Sequence, residues 1–249
     1  MSKSLILKTR YFHFEPPLRY EFETYKAELD KSALLVIDVY GIGFHTDDQI
    51  IPYKEEQLKI VKNSLLPALN AAREIGMKVV YVNNSAPKIN LADSEFCKVL
   101  KRNLSADIER GFAEDNVDPR EYHYGDSDHL KISKLLQPRD NEYFIRKHVY
   151  SGFVGTRLDF LLRYLGIHNL FVVGFFANAC LFTTVIDALW HNYKCILLRD
   201  CTSSGCVGDD YKEVAESLGT ETMIKLMESL YCVSITSNEF IESTNKLVE

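Results

Sequence analysis

One cysteine stands where a thiol could act as a nucleophile. In the run Asn169 to Thr184, an apolar stretch Leu170-Phe171-Val172-Val173 leads to Gly174, then to small residues and Cys180. That pattern reads as a buried strand, a tight turn and the opening of a helix. The positive end of a helix lowers a thiol pKa and favours the thiolate. An unpaired cysteine alone is usually an inert core residue, so the chemistry depends on partners. Two candidates end other expected strands: Asp38 closes the apolar run Ala33-Leu34-Leu35-Val36-Ile37, and Lys147 closes the strand from Asn141. In an open parallel sheet, ligands bind beyond the carboxyl ends of the strands. Three side chains distant in sequence would therefore share one crevice. Asp38 could accept the thiol proton and pass it to a leaving amine, while Lys147 holds Asp38 and biases Cys180 toward thiolate. Backbone N–H groups of Ala177 and Cys180 would form an oxyanion hole.

The elements that must position these residues alternate along the chain. Strands are expected over Ala33–Ile37, Lys78–Asn84, Asn141–Lys147, Asn169–Gly174, Cys195–Asp200 and Cys232–Thr236. Helices are expected over Glu55–Ile75, closed by Gly76, over Arg157–Leu165, closed by Gly166, after Cys180, and over Tyr211–Leu230. Strand–helix alternation implies right-handed parallel βαβ units. The fold class is therefore α/β, three layers (α/β/α) around a central, mainly parallel sheet. Residues 1–30, interrupted by Pro16-Pro17, read as an irregular arm over the domain or a neighbouring subunit. Residues 31–249 read as one domain, with a charged, weakly periodic, lid-like insertion near 85–130.

Three motifs carry a family resemblance. Ala33 to Asp38 is similar to the first strand and aspartate of the isochorismatase-like cysteine hydrolases. Lys147-His148-Val149-Tyr150-Ser151-Gly152-Phe153 resembles their Lys-x-x-Tyr-Ser-(Gly/Ala)-Phe segment, and Gly174 to Leu181 resembles their cysteine elbow. The resemblance runs from about residue 32 to 240 and is nearest in look to the ureidoacrylate and carbamoyl-type amidohydrolases. It implies an Asp38, Lys147 and Cys180 triad, a cis peptide at Phe176-Ala177, and a homo-oligomer. It also implies cleavage of a C–N bond in a small ureido, carbamoyl or amide substrate through a thioester. Asn84 falls where the subgroup's strand ends in a substrate-contacting Asn, and an amide can both donate to and accept from a urea-like group. Tyr40, Phe44, Tyr150 and Phe176 are aromatic candidates for lining the pocket. Tyr40 and Ala177 depart from the family pattern, which commonly has Gln and Thr there.

The composition excludes several other classes. A net charge of −6 with no basic stripe gives no footing for nucleic acid. No apolar run reaches the roughly 20 residues needed to span a bilayer. Six cysteines without a CxxC pair, in a chain opening Met1-Ser2-Lys3-Ser4, read as reduced thiols of a cytoplasmic protein. The metal-binding nicotinamidases of that family carry an Asp-x-His and a second His. Here no Asp-x-His lies between Asn83 and Leu130, His123 and His129 stand isolated, and Asp128 with His129 is the one weak alternative. The resemblance therefore implies no metal, and the chemistry calls for no organic cofactor. True isochorismatases lack the nucleophilic cysteine, which disfavours their vinyl-ether chemistry here. The competing reading is a catalytically quiet small-molecule binder that keeps the scaffold. A redox role for Cys195, Cys201 and Cys206 is a third.

Overall fold

A computed structural model describes residues 3–40, 54–85, 95, 98–99, 130–205 and 219–248. Eight strands form one sheet: β1 (Ser4–His13), β2 (Arg19–Glu28), β3 (Ser32–Ile37), β4 (Lys78–Asn84), β5 (Tyr143–Lys147), β6 (Asn169–Gly174), β7 (Lys194–Leu198) and β8 (Val233–Ile235). Their spatial order is β2-β1-β8-β7-β6-β3-β4-β5. Every pairing from β8 across to β5 is parallel, while β1 pairs antiparallel with both β2 and β8.

The apolar runs follow from burial on both sheet faces. In β3, Leu34 and Val36 enter one hydrophobic cluster, while Ala33, Leu35 and Ile37 enter the other. The first cluster lies under α1 (Lys54–Ile60), α2 (Leu66–Glu74) and α6 (Ser237–Val248). The second lies under α3 (Leu158–Tyr164), α4 (Cys180–Trp190) and α5 (Thr220–Leu230). This is the expected three-layer α/β/α arrangement. None of the described helices is long and apolar enough to cross a membrane.

Three local expectations change. The arm is not irregular: residues 4–28 form a β-hairpin that extends the sheet, with Leu5, Leu7 and Ala27 in the core. Pro16-Pro17 falls in the connection between the strands, where a missing N–H breaks no ladder. Arg10 grips the buried Glu228 of α5 through both carboxylate oxygens, at 2.9 and 3.2 Å, and so ties the hairpin down. The helix expected over 55–75 is divided by a π-helical turn at Val61–Leu65. Pro67, at the start of α2, cannot donate the next hydrogen bond of the ladder. Finally, α6 follows β8 where no helix is expected. Its start is a reciprocal cap: Glu239 Oε2 accepts from Thr236 N at 2.6 Å, and Glu239 N donates to Thr236 Oγ1 at 3.1 Å.

Candidate active site

The carboxyl ends of β3, β4, β5 and β6 meet at one point. Asp38 follows β3, Asn84 and Lys147 end β4 and β5 directly opposite one another, and Cys180 opens α4 just beyond β6. Lys147 Nζ lies 2.7 Å from Asp38 Oδ2, donates to Asn84 Oδ1 at 2.6 Å, and reaches Val149 O at 3.2 Å. The Asn84 amide Nδ2 donates to Cys180 Sγ at 3.8 Å, and the Asn84 backbone N–H donates to Asp38 Oδ1 at 2.9 Å. Asp38 and Lys147 both act electrostatically on the Cys180 thiol, the first raising its pKa and the second lowering it. All four side chains are buried; Lys147 is fully enclosed.

Backbone geometry fixes this cluster. Asp38 has φ +50°, a left-handed conformation uncommon outside glycine, and its N–H donates to Val82 O at 3.0 Å. The kink turns the carboxylate back over the sheet edge. Gly174 has φ +112°, and a Cβ there would lie 2.0 Å from Ile37 O, so only glycine lets β6 pass this close to β3. The chain then leaves β6 through a cis peptide at Phe175-Phe176, one bond earlier than the resemblance implies. The reversal falls there because Phe175 N still bonds Ile37 O on β3, whereas Ala177 N has already turned to Ser203 O.

Charge and burial set the protonation states. Burial drives the Cys180 pKa up, and the Asp38 charge adds to it; Lys147 opposes both, and the thiol ends at about 12. The expected thiolate is therefore replaced by a neutral thiol at rest. Helix-end effects are worth typically about 0.3–1 kcal/mol, less than the cost of burying an unsolvated charge. For Lys147, burial pulls the pKa down, but Asp38 and Cys180 outweigh it and raise it, so the side chain is an ammonium at neutral pH.

Two sequence candidates take different positions. The Ala177 N–H is committed to Ser203 O at 2.9 Å, which removes it from an oxyanion hole. Cys180 N–H, in the first turn of α4, lies outside the helical ladder. Asn84 spends its amide on Lys147 and Cys180, inside the cluster. Tyr150 is half-buried against the core that contains Cys180, and Phe176 packs on the opposite core with Gly205 against its ring. Phe44, His123, Asp128, His129 and Cys206 lie outside the described residues, as does the 85–130 insertion except near its ends and at Glu95, Lys98 and Val99.

Sequence reasoning missed the segment after β7. Asn178 and Gly205 exchange two hydrogen bonds, Nδ2 to O at 3.1 Å and N to Oδ1 at 3.0 Å, and Gly174 N donates to Cys201 O at 3.0 Å. This brace holds the elbow from the side. The run Thr202-Ser203-Ser204-Gly205, small and polar after a strand, was its only signal. Cys195 and Cys201 are buried free thiols whose pKa values burial raises, an environment that opposes the redox reading.

Fold and site together define a three-layer α/β/α protein with an Asp38–Lys147 ion pair at the sheet edge and Asn84 linking Lys147 to the Cys180 thiol. The chain matches the isochorismatase domain over residues 32–219 and belongs to that family. It is 36% identical over 98 residues to the ureidoacrylate amidohydrolase RutB of Yersinia enterocolitica; the match spans 39% of this chain and 41% of that one, under half of either. It is 27% identical over 205 residues to RutB of Acinetobacter baylyi, covering 76% of this chain and 78% of that protein. Among solved structures it superposes on a cysteine hydrolase from Pseudomonas syringae with a TM-score of 0.65 at 20% identity, covering 88% of this chain and 95% of that one. N-Carbamoylsarcosine amidase from Thermoplasma acidophilum gives 0.56 at 23% identity, covering 84% and 97%. Both likenesses speak to the fold.

Proposed function

We propose that the protein is an amidohydrolase that cleaves a C–N bond of a small ureido, carbamoyl or amide substrate through a thioester on Cys180. The observation that carries this reading is a buried Asp38–Lys147 ion pair joined through the Asn84 amide to a buried neutral thiol. A thiol with a pKa of about 12 needs a base at the moment of attack. Lys147 is already an ammonium and cannot take the proton; Asp38 is the acceptor within reach. Asp38 takes the S–H proton as sulfur bonds to the carbonyl carbon. The tetrahedral oxyanion is held by the Cys180 N–H. Asp38 then gives its proton to the nitrogen as the C–N bond breaks, leaving the thioester and free ammonia or amine. Water hands a proton to Asp38 and attacks the thioester carbonyl; the C–S bond breaks and sulfur recovers the proton. Lys147 stays charged throughout and keeps Asp38 oriented.

The names of the curated relatives support the ureido and carbamoyl substrate class, and the chemistry needs no cofactor. We further propose that the protein works in the cytoplasm as a homo-oligomer. The functional test is an ammonia-release screen across ureido acids, carbamoyl amino acids and simple amides, run beside Cys180→Ala. Release by the wild type and none by a folded Cys180→Ala is expected; equal release by both contradicts the thioester route.

A further inference from the structure

The Asp38 carboxylate has two unlike oxygens. Oδ2 faces the Lys147 ammonium at 2.7 Å. Oδ1 receives two neutral donors, the Asn84 N–H at 2.9 Å and the Tyr40 hydroxyl at 2.7 Å. Tyr40 lies two residues beyond Asp38, and the left-handed turn at Asp38 folds the ring back so that the phenol meets its neighbour's carboxylate. An isolated bridge to Ile132 holds Tyr40 from outside, and Ser133 N donates to Val39 O beside it. Tyr40 is half-buried, and desolvation of its phenol first, then the Asp38 charge, raises its pKa well above the ordinary tyrosine value. Tyr40 is thus a neutral, committed donor and cannot itself act as the base.

Building on the amidohydrolase reading, we propose that Tyr40 is a positioning residue that fixes which oxygen of Asp38 does the proton transfer. With Oδ1 occupied by Tyr40 and Asn84, the proton of Cys180 goes to Oδ2, the oxygen beside Lys147, and returns from there to the leaving nitrogen. This role differs from that expected of Tyr40 as a pocket-lining aromatic. It also gives a reason for tyrosine where the family pattern commonly has glutamine: a planar side chain with one terminal donor reaches Oδ1 from the turn itself. Among the described residues, the charged and titratable groups facing Asp38 are Tyr40, Lys147 and Cys180, so loss of the phenol O–H leaves Lys147 as the main influence on its charge among them. A carboxylate that loses a donor to its ionised form holds its proton more tightly.

Tyr40→Phe removes only that donor. A hydrogen bond to a charged group is typically worth enough that kcat should fall about tenfold or more, with KM within about twofold. The acid limb of the kcat/KM profile should move to higher pH. A second readout is independent of any amide: the rate of Cys180 alkylation by iodoacetamide against pH, read by peptide mass spectrometry in wild type and variant. The alkylation profile of the variant should shift to higher pH in parallel. An unchanged kcat and an unchanged alkylation profile would overturn the role, as would a rise in KM alone, which would return Tyr40 to substrate contact. If the alkylation shift appears in a protein that releases no ammonia from any amide, the Tyr40 assignment stands and the amidohydrolase reading falls. If ammonia release proceeds and neither profile moves, the reverse holds.

Discussion

Replacing Lys147 by Met tests the energetics on which the site rests. The ammonium and the Asp38 carboxylate are 2.7 Å apart with neither exposed to solvent. With an effective dielectric constant of about 20, their attraction is roughly 6 kcal/mol. Desolvation of the two ions offsets most of it, so the intact pair contributes little net stability. Removing one partner is different, because Asp38 is left as a buried charge without a counter-ion. That typically costs about 3–5 kcal/mol, which for a chain of this length lowers Tm by on the order of 10 °C. The loss should depend on pH. Lys147 has a raised pKa in the folded protein, so its contribution is complete below the ordinary lysine value and fades only as pH rises through the alkaline range. In Lys147→Met the buried carboxylate favours its protonated form, so stability should recover as pH falls. Urea unfolding at pH 8 and at pH 5.5 measures both effects: a large gap between wild type and variant at pH 8, narrowing at pH 5.5. A loss below about 1 kcal/mol, or the same gap at both pH values, would refute the pairing argument.

Two further outcomes follow from the same geometry. The Cys180 thiol, pushed up to about 12, should alkylate at a rate that keeps climbing through pH 9; a plateau near pH 7 would mean that the resting thiol is ionised. Gly174→Ala should cost more than about 3 kcal/mol, because its Cβ would sit 2.0 Å from Ile37 O at φ +112°; a urea midpoint near that of the wild type would show that the strand can move aside.

How much of this was legible differs from residue to residue. The central strands were, because β3, β4 and β6 are buried on both faces and so carry unbroken apolar runs. Asp38, Asn84 and Lys147, at the carboxyl ends of β3, β4 and β5, sit together because neighbouring parallel strands end at one edge. The hairpin was harder to see: half of β1 faces outward, and Lys8, Arg10 and the two prolines hid the period-2 burial of Leu5, Leu7 and Thr9. The Thr236-Ser237-Asn238-Glu239 run carried a capping-box signature for α6 in plain view. The Tyr40 contact was not legible, since it needs the positive φ of Asp38, which no composition or period announces. The thiol was misjudged because a helix end is visible in a sequence, whereas complete burial beside a carboxylate is not.

The proposed function turns on acylation of Cys180. The most direct measurement is rapid acid quenching of the protein with a turned-over carbamoyl or ureido substrate, followed by intact and peptide mass spectrometry. A base-labile acyl adduct is expected on the peptide containing Cys180, absent in Cys180→Ala and accumulating before steady state. Turnover without any adduct on that peptide, and undiminished in Cys180→Ala, would contradict it.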